Sequence, residues 1–210
     1  MKESNKHQCS MKMNLDEIQK NYERIELDLG TGDGRFVYKK ALKNPETFYI
    51  GIDPSHKQLK IYSKKAVRKK LENVLFLRGS AESLPKNLNS FVSTLYIILP
   101  WGSLLQYIAT PNTQILKNII DLLKHKGILE IIFGYVQERE PTETARLGLG
   151  ILDSVYIENI LIPKYGELDL VLEKSNTLTK KELREFESTW SKKLGFGKER
   201  PLFHLKFRKE

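Results

Sequence analysis

Apolar residues in this chain fall into seven short segments that alternate with longer stretches of mixed polarity. These segments cover residues 25–29, 47–53, 74–77, 91–99, 128–133, 168–172 and 202–207. Their length and apolar content predict seven β-strands. The segment at 91–99 is nearly continuous in apolar residues, as expected of a strand that is covered on both faces of a sheet.

The stretches between these strands carry apolar residues at helical spacing or begin with helix-start signals. They predict helices at residues 14–18, 36–42, 57–71, 111–123, 149–161 and 179–194. Such alternation of strands and helices predicts an α/β fold with a mostly parallel, seven-stranded sheet. Residues 1–13 are predicted to be a loose leader, 137–146 a charged surface linker, and 14–210 one domain without internal repeats.

The first strand ends in a glycine loop at residues 28–34, with the sequence Asp-Leu-Gly-Thr-Gly-Asp-Gly. Glycine lets a ligand lie against the main chain, and the helix that follows offers free N–H groups. The Gly-x-Gly-x-Gly spacing differs from that of a dinucleotide site, and Asp28 before Gly30 suits a ligand with a cationic amino-acid end. Asp53 ends the second strand, where an acid can bind ribose hydroxyls. Together these features favour an S-adenosylmethionine (SAM) site in a Rossmann-like, class I methyltransferase fold.

The loop at residues 79–85, after the third strand, stands where the adenine of a bound SAM would lie. The fourth strand ends in Leu99, Pro100, Trp101, Gly102 and Ser103. The proline cannot extend the strand ladder, so the chain must turn there and direct the indole toward the ligand end of the sheet. The indole could stack on a nucleobase or could fill a gap between sheet and helix, and we favour stacking.

The strand-four tip also bears on the atom that is methylated. Leu99 stands where many enzymes that methylate exocyclic amines have Asn or Asp as an acceptor for the amine hydrogen. A ring nitrogen with a free electron pair needs no such acceptor and only has to be aligned with the methyl group. The sequence therefore favours methylation of a ring nitrogen.

The second tryptophan of the chain allows two interpretations. Leu183, Phe186, Trp190 and Leu194 form a stripe at helical spacing, which indicates a buried position if the helix is unbroken. If the chain is instead extended near Ser188, both side chains could line a pocket. From the pattern alone we favour the buried position.

The charge of the chain indicates a polyanionic, macromolecular partner. The 210 residues include 35 Lys and Arg against 26 Asp and Glu, for a formal net charge of +9. Seven of the cations lie on the predicted helix at 57–71, which contains no acid to pair with them, and this clustering favours contact with a phosphate backbone. One cysteine, Cys9, excludes an intrachain disulfide, the four histidines show no metal-ligand spacing, and no signal peptide or membrane-spanning run is apparent, so we expect a cytoplasmic protein without a metal.

The assembled motifs resemble the 16S rRNA (adenine(1408)-N1)-methyltransferases associated with aminoglycoside resistance. The similarity runs through residues 28–35, 48–54, 81–85 with 100–102, and 188–190 with 196–200. It implies a flipped adenine held between Trp101 and Trp190, beside Pro100 and Ser188, in the rRNA of the assembled 30S subunit. This reverses the buried interpretation of Trp190. Leu99 and Ser103 stand where a member of the family has Phe and Thr.

The resemblance also implies the remaining site residues, and we expect a monomer. The cofactor-binding positions are Asp28, Gly30, Thr31, Gly32, Asp53, Pro54, Ala81, Glu82, Leu99 and Ser103. The RNA-binding positions are Lys64, Lys65, Arg68, Lys69, Arg200 and Arg146, the last about one position from the arginine of the family. A tRNA methyltransferase and a catalytically silent RNA-binding module are the alternatives.

Overall fold

The computed structural model describes residues 15–111, 113–194 and 200–210, so the predicted leader at 1–13 lies outside the described residues. Within them, seven strands form one sheet in the order β3-β2-β1-β4-β5-β7-β6. The strands are β1 (Arg24–Leu29), β2 (Thr47–Asp53), β3 (Val74–Arg78), β4 (Val92–Ile98), β5 (Leu123–Phe133), β6 (Leu170–Thr177) and β7 (Phe203–Lys209). β1 to β5 are parallel and β7 runs antiparallel to both of its neighbours, which confirms the predicted mostly parallel sheet.

Helices precede β1 and lie between most of the consecutive strands. They are α1 (Leu15–Asn21), α2 (Arg35–Lys43), α3 (His56–Arg68), α4 (Ser103–Ala109), α5 (Thr113–Ile120), α6 (Pro141–Leu147), α7 (Ser154–Tyr156), α8 (Ile162–Gly166), α9 (Lys180–Glu185) and α10 (Thr189–Leu194). A π-helical turn, Ile157–Leu161, joins α7 to α8. In the described part of the chain, none of these helices is long and apolar enough to span a membrane.

The core lies on both faces of the sheet because β1, β2 and β4 are central strands. Ile25, Leu27 and Leu29 are buried, and the intervening Glu26 and Asp28 are buried as well. Lys40 offsets the charge of Glu26 at 2.6 Å, and the Tyr96 hydroxyl donates to the same carboxylate at 3.1 Å. The alternation of apolar and acidic residues in β1 is therefore not an alternation of buried and exposed positions.

Strand order places the functional end of the sheet. β1 pairs with β2 on one side and with β4 on the other, so the connection after β1 leads to one side of the sheet and the connection after β4 leads to the other. A ligand crevice is expected at such a switch point. We call the end of the sheet formed by the carboxyl ends of β1 to β5 the carboxyl edge.

Three predictions about the connections are wrong. The predicted helix at 111–123 is two elements: the helix α5 ends at Ile120, and Leu123 already begins β5. The predicted linker at 137–146 contains a 3₁₀ turn and most of α6, which buries Leu147. The predicted helix at 149–161 begins five residues later, because the Asp153 carboxylate accepts the Tyr156 N–H at 2.8 Å and caps α7 there.

Candidate active site

The glycine loop turns the chain sharply between β1 and α2. Gly30, Gly32 and Gly34 all adopt left-handed conformations, with φ of +78°, +61° and +79°. The N–H groups of Gly30 and Thr31 both donate to the Ile52 carbonyl, at 2.8 and 3.0 Å, which ties the loop to β2. A Cβ on Gly34 would lie 2.3 Å from Phe76 Cε1, whereas one on Gly32 would meet open space. Gly32 therefore leaves room for a ligand against the main chain.

Asp28 is a buried carboxyl group directly below this loop, at the last but one position of β1. It is 3% exposed. Its pKa is raised to about 7, chiefly by burial; the nearby Asp53 carboxylate acts in the same direction, while Thr31 and Lys40 oppose the rise. The Thr31 hydroxyl is also buried, without a hydrogen bond of normal geometry to any described residue. A cationic ligand group at this place would stabilise the Asp28 carboxylate, which fits the amino-acid end of SAM.

Asp53 at the end of β2 shapes the same loop. Its two oxygens accept the N–H groups of Gly32 and Ser55, each at 2.8 Å. Partial burial nevertheless raises its pKa. Asp53 remains partly exposed and the following Pro54 is exposed, so a ligand can reach both residues.

The loop after β3 brings Ala81, Glu82 and Ser103 together. Ala81 begins a 3₁₀ turn and is buried, whereas Glu82 and Ser103 are exposed. The Ser80 hydroxyl holds the pKa of Glu82 below its usual range, and the hydroxyls of Tyr107 and Ser103 act in the same direction. The predicted adenine loop and the start of α4 thus form one polar group.

The turn after β4 exposes the first tryptophan. Leu99 adopts a left-handed conformation with φ of +51°, and Gly102 follows with φ of +63°. Between them Pro100 is buried and Trp101 is 49% exposed. An indole exposed to this extent does not fill an internal gap, so the alternative interpretation of Trp101 is wrong.

The second tryptophan lies on a separate short helix, not on the unbroken helix that the stripe predicts. α9 ends at Glu185, Glu187 is left-handed with φ of +47°, and α10 begins at Thr189. Leu183 of the stripe is fully buried, but Trp190 is 51% exposed, so the buried interpretation from the pattern is wrong. The missed signal is Ser188, whose hydroxyl accepts the Ser191 N–H at 2.9 Å and starts a new helix.

Sequence reasoning missed two residues that connect this helix to the glycine loop. The Asp33 carboxylate accepts a hydrogen bond from the Thr189 hydroxyl at 2.7 Å. The Arg35 guanidinium donates from Nε to the Glu187 carbonyl at 3.1 Å. The contacts span more than 150 residues of sequence, so no local pattern could have indicated them. They bring the Trp190 segment to the carboxyl edge.

The predicted RNA-binding residues divide into two groups. Lys64, Lys65, Arg68 and Lys69 are all exposed on or just after α3. Arg146 is paired with Glu143, by two hydrogen bonds of 3.1 and 2.6 Å, and lies close to Gly102 in the turn of Trp101. Arg200 forms a mostly buried ion pair with Glu140 at 2.7 Å, so its charge is neutralised within the protein. Residues 196–199 of the same segment lie outside the described residues.

Comparison with known proteins gives consistent results over nearly the whole chain. A family model described as "NpmA: 16S rRNA (adenine(1408)-N(1))-methyltransferase" matches residues 4–208. A 16S rRNA (adenine(1408)-N(1))-methyltransferase from Escherichia coli is 36% identical over 196 residues, which cover 91% of this chain and 90% of that protein.

Two solved structures extend the similarity to the fold. The 30S ribosomal A1408 methyltransferase from an uncultured bacterium is 44% identical, with a TM-score of 0.73 and coverage of 93% of this chain and 92% of that one. The aminoglycoside resistance methyltransferase NpmB1 is 35% identical, with a TM-score of 0.80 and 93% coverage of both chains.

Proposed function

This chain belongs to the family of 16S rRNA (adenine(1408)-N(1))-methyltransferases, and we propose that it methylates N1 of adenine 1408 in the assembled 30S subunit. The methyl donor is SAM. The observation that carries the proposal is that two half-exposed indoles, Trp101 in the turn after β4 and Trp190 at the start of α10, lie at the carboxyl edge, beside a glycine loop with a buried acid. Modification of that base confers resistance to aminoglycosides that contact it.

The residues around the glycine loop support a SAM site. When bound, SAM supplies a methyl group on a positively charged sulfur to a nucleophile with a free electron pair. Asp28 would bind the ammonium group of its amino-acid end, and Asp53 with Pro54 would border the ribose. The main chain at Gly30, Thr31 and Gly32 would support the ligand. Ala81, Glu82, Leu99 and Ser103 would surround the adenine and the methyl-bearing end.

Trp101 and Trp190 would hold the target adenine between their rings. Extruding a base costs a few kcal/mol, and stacking on an aromatic ring returns about 1–3 kcal/mol per base. Pro100 would fix the turn that presents Trp101, and Ser188 would line the pocket beside Trp190. N1 of adenine has a free electron pair, so it needs alignment with the methyl group and no general base.

The basic surface of α3 would bind the rRNA through its phosphates. Its lysines are exposed because Leu59, Tyr62 and Ala66 occupy the buried face. Folded RNA is recognised largely by shape and backbone, which suits contacts that carry no base specificity. Arg146 would reach the RNA beside Trp101. Arg200 would have to leave Glu140 to contribute, so we assign it the weakest contact.

The test is methylation of purified 30S subunits with labelled SAM, followed by primer extension across the decoding site. We expect a block at adenine 1408 and none in subunits with guanine at that position. Purified tRNA and a short isolated rRNA fragment serve as controls and should remain unlabelled. Label in tRNA would favour a tRNA methyltransferase, and no label in any RNA would favour a silent RNA-binding module.

Three further properties follow from this function as proposals. The enzyme acts in the cytoplasm, where ribosomal subunits are found, it acts as a monomer, and residues 14–210 form one domain. Sedimentation of the purified protein, alone and with 30S subunits, would test the monomer directly. A stable dimer that persists on the subunit would contradict it.

A further inference from the structure

Three side chains of the first β-α unit contact the segment that carries Trp190. They are Asp33 in the glycine loop and Arg35 and Lys43 in α2. The Lys43 ammonium pairs with the Glu187 carboxylate, while Asp33 and Arg35 contact Thr189 and the Glu187 main chain. The segment at 187–190 is therefore attached to the glycine loop and to α2, and not only to its own neighbours in sequence.

Asp33 connects the glycine loop to α10. It lies between Gly32, whose N–H donates to Asp53, and the left-handed Gly34. One of its oxygens accepts the Arg35 N–H at 3.1 Å, and the other accepts the Thr189 hydroxyl at 2.7 Å. A change in the direction of this carboxylate would move the first residue of α10, and Trp190 is the next residue.

Arg35 fixes the turn that precedes α10. Its Nε donates to the Glu187 carbonyl at 3.1 Å and its Nη1 donates to the Tyr62 hydroxyl at 2.8 Å. Glu187 has a φ of +47°, a conformation that costs a residue with a side chain free energy. Such a conformation persists only where the surroundings hold it, and the bond from Arg35 does so.

We propose that Asp33 and Arg35 are positioning residues for the target base, because they fix Trp190 through Thr189 and Glu187. The inference rests on the proposed function, in which Trp190 contacts the base. It goes beyond that function by making the base pocket depend on the cofactor loop. SAM bound against Gly32 orders the loop, and through Asp33 it orders the second indole. Coupling of this kind is reciprocal, so each ligand raises the affinity for the other.

The first experiment compares Thr189→Val with Thr189→Ser. Valine keeps the size of threonine and removes the hydroxyl that donates to Asp33, whereas serine keeps it. We expect Thr189→Val to lower the methylation rate of 30S subunits on the order of tenfold, because one hydrogen bond to a charged group is removed. SAM affinity in the absence of RNA should change less than the rate, and Thr189→Ser should retain most of the rate.

The second experiment observes Trp190 directly. The chain has two tryptophans, so Trp101→Phe leaves Trp190 as the one indole fluorophore. In this background we expect SAM to reduce quenching of Trp190 by acrylamide. Addition of Thr189→Val should abolish that response without preventing SAM binding. This readout needs no RNA, and thermal melting of the same variants measures separately whether a general loss of stability contributes to the quenching.

Controls separate the inference from the proposed function. Thr177→Val, at an exposed position of β6 outside the site, should match the wild type in rate and in fluorescence. Asp33→Asn combined with Thr189→Val should be no worse than the more damaging single variant, since both break one bond. If the wild type methylates 30S subunits and Thr189→Val matches it in rate and quenching, the positioning role is wrong. If the wild type methylates no 30S, the proposed function fails while the quenching response still tests the coupling.

Discussion

The proposed active site has two sides: the cofactor side, which is the glycine loop with Asp28 and Asp53, and the base side, which is the pair of segments that carry Trp101 and Trp190. The two sides reach similar backbone geometry by different means. On the cofactor side, the left-handed positions are Gly30, Gly32 and Gly34. On the base side, the left-handed residues before the tryptophans are Leu99 and Glu187, which have side chains. Glycine adopts such angles freely, while other residues need tertiary contacts to remain there.

Those tertiary contacts are visible for both turns of the base side. The Leu99 N–H donates to the Ile132 carbonyl of β5 at 2.7 Å, and Arg35 bonds the Glu187 carbonyl at 3.1 Å. The cofactor loop is therefore determined largely by its own residues. The two turns at Leu99 and Glu187 are held by contacts with distant parts of the chain. A distant substitution can therefore disturb them.

Burial separates the two sides as well. Asp28 and Thr31 on the cofactor side are nearly inaccessible, whereas Trp101 and Trp190 are about half exposed. A buried carboxyl group without a cation costs free energy, and an exposed indole costs little. Substitutions on the cofactor side should therefore alter ligand affinity and folding stability together, and substitutions at the tryptophans should alter activity alone.

The largest effect is expected from Asp28→Asn. Removal of one partner of a buried ion pair costs about 3–5 kcal/mol, so SAM affinity should fall by more than about 100-fold. Isothermal titration calorimetry with purified protein at pH 8 measures it. SAM affinity within threefold of the wild type would exclude Asp28 as the partner of the ammonium group.

The same variant has an opposite effect on stability. Folding raises the pKa of Asp28 to about 7. The protonated carboxyl group therefore adds to the free energy of unfolding below about pH 4, and this stabilisation is lost as the pH rises through 7. Asp28→Asn removes this loss, and the variant should unfold at a higher temperature than the wild type at pH 8. Near pH 4 the two proteins should differ much less.

Trp101→Ala and Trp190→Ala test the other side of the comparison. Removal of one stacking ring should lower 30S methylation by about 5- to 150-fold, from 1–3 kcal/mol per base. Primer extension on rRNA from cells that express each variant should show a weak block or none at adenine 1408. Both rings are half exposed, so SAM affinity and melting temperature should stay near those of the wild type.

Trp101→Phe and Trp190→Phe are the matched controls, because phenylalanine keeps an aromatic face. We expect intermediate rates from both. A wild-type rate in Trp190→Ala would remove that ring from the base pocket, and a large fall in melting temperature would show that the ring supports folding instead.

SAM binding should also depend on pH through Asp28, and this effect is smaller than those of the substitutions above. With a pKa of about 7, Asp28 is ionised in about nine-tenths of the molecules at pH 8 and in about one-tenth at pH 6. The apparent Kd of the wild type for SAM should therefore rise about tenfold between these values. Calorimetry in buffers of different ionisation enthalpy should detect proton release on binding at pH 6, and Asp28→Asn should release none.

The sequence predicts the cofactor side well and the base side only in part. Asp28, the three glycines and Asp53 form local patterns, and these patterns predict the first strands and the cofactor side. The strand-four turn is predictable because Pro100 marks it locally. Helical spacing places Trp190 in the core because it does not reveal a break, and only the resemblance to a family corrects this.

The contacts that fix the break could not be predicted at all. The bonds of Asp33 to Thr189 and of Arg35 to Glu187 join residues more than 150 positions apart. α6 escapes prediction for a related reason, since its helix in a charged stretch depends on burial of Leu147 and on the bond from Arg200 to Glu140. Long-range pairing decides conformation where local propensity is weak.

The smallest effects are expected on α3, whose lysines belong to neither side of the pocket. Lys64→Ala and Lys65→Ala should each weaken 30S binding a few-fold, and the slope of log affinity against log salt should become shallower by about 0.7–0.9 for each phosphate that the variant no longer neutralises. The turnover rate at saturating 30S should stay unchanged, because in this proposal these side chains bind phosphates and not the reacting base. Lys117→Ala on α5, also exposed on a helix, is the matched control and should leave the slope unchanged. An unchanged slope in both α3 variants would show that these lysines are simply solvated, and the RNA contacts would then have to lie near the tryptophan turns themselves.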